Sequence, residues 1–570
     1  MSFFAELKRR RVFRVAAAYI IAAFVIMQGA DAILGNIGVS EWVFKALLIF
    51  LAVGFIIALV ASWFLKVTAE GIVFDYLLPQ KASGEVSRQS ANSGARSSDG
   101  QPSIVVLPFI NSSDDPANEY FSDGLTEEII ADLSGVKALS VISRSSSMLL
   151  KGTDKNLRTI GQELAVDFVL EGSVRKAGSS LRITAELVDA LNDAQLWSEK
   201  YSGTIEEVFE VQERVSREIV RALDVTLTAD ENRRLAEHPI ANARAFELYL
   251  QARNDLRHWA GEAVGRVPQS LAQAIEIEGE TPPLLALKAW SMVSSVKAGV
   301  SRDLQPLDEA EKIALQLMAS SPEQPYAYAI LGFVYYERGQ LPEASRYLRR
   351  AIEISPNDPD VLFNLGATYI ASGYGEGAAA MGRRMVAYDP LAPISWVIAG
   401  AAPWFVNGGF EEGLPELMRA LELDPKSYIS HWHVGYACAA SGQLDEAAEH
   451  ASFLKMVEPE MPYTIQLLAL IDALEGRSQE AIDRISTVDL MPLDGHTTFH
   501  LAEPLAVAGA ADHALDIIED VVEHGFYPYR FLSQYCPFLD SLRSMPRFDG
   551  ILSKSKERRD VFMEAENAAL

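Results

Sequence analysis

The chain has 570 residues, too many for a single hydrophobic core, so several domains are expected. Acidic residues outnumber basic ones 77 to 50, a formal charge of -27, and a surface of that sign cannot neutralise phosphates over most of its area, so no nucleic-acid partner is expected. Cys438 and Cys536 are too far apart in sequence for a disulfide framework or a cysteine zinc knuckle, which suits a reducing compartment.

The amino terminus carries Lys8, Arg9, Arg10, Arg11 and Arg14, then an apolar run from Val15 that continues past Asp31 to Leu34. A second run, Ala46 to Leu65, contains no charged residue. About 20 residues at 1.5 Å each cross the roughly 30 Å hydrocarbon core of a bilayer. Two helices over about 13–34 and 43–65 are therefore expected, forming a membrane hairpin within residues 1–78. Gln28 and Asp31 fall near one end of the first run, where headgroups and water solvate them. The link GNIGVSE has no Lys or Arg, so the positive-inside rule puts both ends of the hairpin on the cytoplasmic side. A cleaved secretory signal is the competing reading, and the second span that follows at once weighs against it. Residues 79–102 are rich in Ser, Gly, Ala and Gln, the composition of a flexible linker with a root-mean-square reach of some 25 Å.

Residues 103–228 change rhythm. SIVVLPF (103–109) reads as a buried strand, and Leu125, Ile129, Ile130 and Leu133 form a helical stripe. LSVISRSSS (139–147) reads as a second strand and NLRTIGQELAV (156–166) as a helix. Alternation across LEGSVRK and LRITAELVD, joined at AGSS, signals a hairpin, and residues 206–227 repeat apolar positions at helical spacing. The order β-α-β-α-β-β-α makes a small α/β domain. SIVVLPFINSSDDPANEYFSDGLTEEIIADL, LEGSVRK, LRITAELVDA and LWSEKYSG resemble the module shared by the amino-terminal domain of TolB and the flagellar lipoprotein FlgO.

The remainder is periodic. Prolines fall at Pro322, Pro356, Pro390, Pro425 and Pro459, at intervals of 34, 34, 35 and 34. Ala310, Ala344, Ala378, Gly413, Ala447, Ala481 and Ala514 open the second helix of each unit, while Gly332, Gly366, Gly400 and Gly435 mark the first. This period and these residue types resemble the tetratricopeptide repeat, implying an all-α solenoid over residues 240–530. Residues 531–570 read as a cap over the core of the last repeat. FFAELKRRRVFRVAAAYIIAAFVIMQ and SWFLKVTAEGI are similar to a bacterial family that joins a transmembrane hairpin, this α/β module and such repeats. Its relatives often bear adenylate cyclase-like names, taken from cyclase or winged-helix domains carried in front, and neither is expected in the dozen residues ahead of the first span here. The resemblance implies a bacterial inner-membrane protein with two spans and its terminal domains in the cytoplasm.

No P-loop and no G-x-S-x-G motif occurs. Gly373, Gly375 and Gly377 sit at an interhelical turn without a preceding strand, which argues against a phosphate loop. His496 and His500 share a helical face with Glu503 one turn on, a spacing that a metal or a packed core could use. Asp123, Glu127 and Glu128 are the acidic candidates of the α/β domain, for a cation or nucleotide or, more simply, for helix capping. No catalytic, cofactor or metal site is assigned. The binding surface expected is a concave groove lined by Tyr326, Ala329, Phe333, Tyr336, Phe363, Trp404, Trp432 and Tyr436, holding a cytoplasmic protein partner, unless these rings pack between helices. The function that follows is a membrane-anchored interaction scaffold in signalling or envelope-linked assembly. The alternative is a nucleotide- or ligand-responsive regulator related to cyclase-type signalling.

Overall fold

The computed structural model describes residues 65–68, 71–74, 101–236, 240–257, 261–297, 305–489 and 494–568. The chain divides into two units, Met1–Ser93 and Gly94–Leu570. In the first, β1 (Leu65–Thr68) and β2 (Gly71–Phe74) pair antiparallel. The apolar runs expected to span a membrane lie outside the described residues, except that Leu65 opens β1 instead of closing a helix. Among the described residues no helix is long and apolar enough to cross a membrane.

The second unit opens with an α/β module. Its strands are β3 (Ser103–Val106), β4 (Ile110–Asn111), β5 (Ser140–Val141), β6 (Phe168–Ala177), β7 (Ser180–Asp189) and β8 (Ala194–Thr204). Its helices are α1 (Glu119–Ser134), α2 (Arg144–Met148), α3 (Leu157–Leu164), α4 (Val208–Ala222) and α5 (Ala229–Leu235). The sheet order is β5-β3-β6-β7-β8, with β3 parallel to both neighbours and the last three strands antiparallel. A parallel strand covered on both faces needs an unbroken apolar run, which SIVV supplies. Ile104 and Val106 face one core with α1 and α4, while Val105 and Leu107 face another with Ile160 and Leu164 of α3.

Two departures from the sequence reading have local causes. The strand expected over 139–147 stops at Val141, because the Ser143 side chain accepts from the Ser146 N–H and caps α2. The predicted hairpin forms in register from Phe168↔Asp189 to Ala177↔Ser180, with Gly178 at φ 59° in the turn. A further strand, β8, then adds to β7. Its sequence lacks an apolar alternation because only Tyr201 of the strand is buried.

Eight helix pairs follow among the described residues. They are α6 (Ala243–Arg257) with α7 (Gly261–Glu278), α8 (Pro282–Lys297) with α9 (Gln305–Ser320), and α10 (Pro325–Glu337) with α11 (Leu341–Ile354). Next come α12 (Pro359–Ser372) with α13 (Gly375–Tyr388), α14 (Pro393–Val406) with α15 (Leu414–Leu423), and α16 (Tyr428–Ala440) with α17 (Leu444–Val457). The last are α18 (Pro462–Leu474) with α19 (Ser478–Ile485), and α20 (Gly495–Val507) with α21 (Ala511–Glu523). First helices repeatedly start on proline, whose missing N–H is no loss at that position. The small residues mark close approach: a Cβ on Gly332 would stand 2.5 Å from Leu348 Cγ, and one on Gly413 would stand 1.8 Å from the Gly400 carbonyl oxygen. Gly366 has ordinary room, with its nearest neighbours at 3.5 Å.

Module and array share a core. Phe246 of α6 meets Phe209 of α4 edge to face at 4.7 Å, and Leu250 presses so closely on Gly124 that a Cβ there would lie 2.7 Å from it. The chain ends in a π-helical turn (Phe531–Tyr535), a 3-10 turn (Pro537–Leu542) and α22 (Pro546–Asn567). This segment does more than cover the last repeat. It runs back over earlier turns, with the Tyr527 N–H donating to the Ala371 carbonyl at 2.8 Å and Pro528 Cα lying 2.8 Å from where a Gly373 Cβ would stand.

Candidate functional site: a cleft between the module and the first helices

A cleft of about 230 Å³ opens where α2 of the module faces the first helices of four consecutive pairs. Its apolar wall is Trp290 and Val293 of α8, Phe333 of α10, Phe363 of α12, Met385 of α13 and Ile394 of α14. Trp290 and Phe333 pack edge to face at 4.5 Å, which fixes both rings. Polar groups reach the same space from Ser145, Ser294, Asp360, Asn364 and Asp389. The Asn364 amide is turned by donating to the Asp360 carbonyl at 2.5 Å. Asp360 is exposed at the rim.

Asp389 ties the two walls together. It is buried, and its carboxylate accepts from the Ser146 N–H at 3.0 Å, from Ser146 Oγ at 2.6 Å and from Ser143 Oγ. Burial pushes its pKa up, and the serine donors pull it back only in part. The Leu391 N–H donates to Ser146 Oγ at 2.9 Å and the Ser143 N–H to the Tyr388 carbonyl at 2.7 Å, so the end of α13 and the start of α2 are stitched on both sides. The serine-rich stretch 143–147, read from sequence as strand, is thus one of the module's contacts with the array, beside the α1–α6 joint.

The structure separates the aromatic residues expected in one groove. Phe333 and Phe363 line the cleft. Tyr326 and Tyr336 are half-buried against two different cores, and Ala329 is buried. Trp404, Trp432 and Tyr436 are 1%, 0% and 0% exposed, which corrects their expected role as an open lining. Trp432 stacks on Tyr436 at 5.2 Å and donates from Nε1 to Gln466 Oε1 at 2.8 Å. The terminal segment fills the remaining space, with Phe531 stacked on Phe405 at 4.6 Å and Phe538 against Tyr436 at 5.6 Å. Of the three rings Tyr436 is covered by the terminal segment, while Trp404 and Trp432 are covered by their own and later repeats.

His496, His500 and Glu503 belong to this interior. His500 Nδ1 and Glu503 Oε2 are 2.8 Å apart, Tyr436 O–H donates to Glu503 Oε1 at 2.5 Å, and Cys536 Sγ donates to it at 3.1 Å. Burial pushes Glu503 up to about 8 and His500 down to about 3, so both are neutral at pH 7. Among the described residues no group of three or more His, Cys, Asp or Glu could hold a metal ion. In the module, Asp123 pairs with Lys151 at 2.6 Å, Glu127 with Arg253 at 2.8 Å and also with Arg144, and Glu128 with Arg253, which answers to structural pairing of all three carboxylates.

An α/β module fused to a tetratricopeptide-repeat solenoid is the class these features define. Residues 332–373 match the family described as TPR repeat. Residues 100–222 match the second domain of the HilA/YgeH-like transcriptional regulators, which stands in place of the TolB and FlgO type inferred from the strand motifs. A Rhizobium meliloti (strain 1021) protein called "Putative adenylate cyclase 3" is 41% identical over 178 residues, 31% of this chain and 30% of that protein. The chain thus matches less than a third of that relative's length. Among solved structures, TTC0263, a thermophilic TPR protein of Thermus thermophilus, is 23% identical over 32% of this chain and 98% of its own, at a TM-score of 0.29. A tetratricopeptide repeat protein from Parabacteroides merdae ATCC 43184 is 15% identical over 47% of this chain and 99% of its own, at a TM-score of 0.33.

Proposed function

We propose that this protein is a non-catalytic interaction scaffold, held at the inner face of a bacterial membrane by its amino-terminal hairpin, and that it recruits a protein partner through the cleft between module and array. The supporting observation is the cleft itself: an apolar wall of four first helices, with the exposed Asp360 at its rim. At about 230 Å³ it is smaller than the roughly 300–1,000 Å³ of ordinary small-molecule sites, which favours one or two side chains of a polypeptide over a nucleotide. An acidic rim beside an apolar wall selects an apolar side chain flanked by Lys or Arg. Signalling or envelope-linked assembly is the setting that fits such a scaffold.

Binding of short peptides carrying one aromatic or aliphatic residue beside either a basic or an acidic neighbour tests this on the full chain in detergent. The basic-flanked peptides are expected to bind, and Asp360→Arg to weaken them by about tenfold, the scale of one lost charge contact. Equal binding of both peptide sets, or indifference to Asp360→Arg, refutes the cleft as the docking site. The membrane arm has its own test: a carboxyl-terminal reporter active only outside the cytoplasm should stay silent, and activity would reverse the proposed topology.

A further inference from the structure

Helix α22 divides into two halves with different partners. Its first half is bolted to the last repeat: Arg547 reaches Asp516 at 2.7 Å and Glu519 at 2.8 Å, Lys554 reaches Glu523 at 2.7 Å, and Ser555 Oγ donates to the Tyr527 carbonyl at 3.0 Å. Its second half keeps one tie to that repeat, Arg558 Nη1 donating to the Glu523 carbonyl at 2.6 Å, and beyond it seats on α11 and α12, whose sequence lies some two hundred residues earlier. Only Phe562 and Glu566 are buried beyond Ser555. The Phe562 ring meets Tyr369 edge to face at 6.2 Å, and the Glu566 carboxylate accepts from Tyr369 O–H at 3.1 Å and from Ser345 Oγ, with Arg349 Nη1 at 3.7 Å.

Two further observations set this contact apart from ordinary capping. Buried Arg349 Nε has no hydrogen-bond partner among the described residues, so the socket keeps a spare cationic donor beside the carboxylate. The last turn of α22 holds Glu564 and Glu566 and no basic residue, which opposes the helix dipole. The end of the helix is therefore held by its socket and not by its own preference. The same acidic, base-free last turn occurs in α7 and α21, so what singles out α22 is that such an end is held by residues far away in sequence, the kind of contact that can be exchanged.

We propose that Ser345, Arg349 and Tyr369 form a helix-docking socket, occupied here in cis by Phe562 and Glu566. The partner it fits is an amphipathic helix presenting an aromatic ring and a carboxylate four residues apart, the spacing that places both on one face. Such a helix displaces the end of α22, while the first half keeps the array capped. This socket lies on different residues from the cleft and stands or falls separately from it.

A labelled peptide with the sequence of Pro546–Asn567, added to the full chain, reads the exchange. The wild type should bind it weakly, because the site is competent only in the fraction of molecules whose own helix end has lifted. Full-length Phe562→Ala/Glu566→Gln should bind it at least about tenfold more tightly, and adding Arg349→Ala should cancel the gain. Hydrogen exchange on the wild type covers the case in which the double variant misfolds: residues 556–567 should exchange at least about tenfold faster than 546–555. Equal protection of the two halves would overturn the proposal. So would a folded double variant that binds no peptide, peptide binding as tight to the wild type, or a concentration-dependent dimer that makes a second copy the occupant.

Discussion

Two buried carboxylate clusters, one where the module meets the array and one inside the array, are satisfied by opposite means. At the first, Glu127 and Glu128 meet the Arg253 guanidinium, which also lies over the Tyr249 ring at 5.3 Å. In the array, Glu503 is fully buried among Tyr436, Cys536 and His500, and desolvation removes the charge by holding the proton on. The guanidinium of that joint between α1 and α6 carries its charge across the whole physiological range, indifferent to pH. A neutral histidine and carboxyl core does not share that indifference, because each group titrates differently once unfolded.

The sharpest way to break the comparison is to empty the array's core. Trp432→Ala should cost about 3–5 kcal/mol, the range for deleting a large buried aromatic, seen as a lowered urea midpoint. Arg253→Met comes next. It strands Glu128, leaves buried Glu127 with Arg144 alone and should cost about 3 kcal/mol, with hydrogen exchange rising first at the α1–α6 joint.

The pH profile tests the contrast itself. Burial lowers His433 to about 3, His450 to about 4 and His500 to about 3, and lowers His496 as well, against about 6.5 in an unfolded chain. Below about 6.5 the unfolded chain then binds more protons through these four groups, so stability rises with pH. Glu503, raised to about 8 from an unfolded value near 4.5, acts the other way, since its proton is held by the folded chain and that stability is lost as pH climbs through 8. In the lower window the lowered histidines outweigh Glu503 and Asp132, which burial pushes up to about 7, and above pH 7 Glu503 dominates. Melting temperature should peak near pH 7 and fall towards pH 8 by the equivalent of about 0.5 kcal/mol. A flat profile would mean that the interior is hydrated enough to keep ordinary protonation.

Smaller effects sharpen the picture. Ser146→Ala removes one donor from Asp389 and the acceptor of the Leu391 N–H while keeping the helix, and should loosen the cleft by about 1 kcal/mol, read as faster exchange at 388–391. Glu503→Gln mimics the neutral carboxyl and should change stability by less than about 1 kcal/mol at pH 6.5 while abolishing the decline towards pH 8.

The sequence carried the architecture at every scale where the signal is local. A period of 34, with proline just after second helices and a small residue where helices touch, specifies stacked pairs because each pair contacts chiefly its neighbours. The β6–β7 hairpin was equally legible, since AGSS and the flanking alternation act within a few residues. β8 was not, because a strand with both faces largely in solvent has no apolar rhythm to read.

Site and surface were decided elsewhere. Phe363 and Trp432 are alike as residues on first helices, yet one lines a cleft half-buried and the other is sealed beneath its neighbours. That outcome depends on how tightly the array closes, with Tyr463 and His500 of later repeats packed on the Trp432 ring. Ser146 and Asp389, 243 residues apart, carry no sequence mark of their contact. The sequence by itself determined the repeat, the module and their helices, because periodicity and capping act over one or two turns. Only the tertiary structure decided which rings became core, which carboxylates lost their charge and which helix end occupies a socket, because burial is a property of what comes to lie on top.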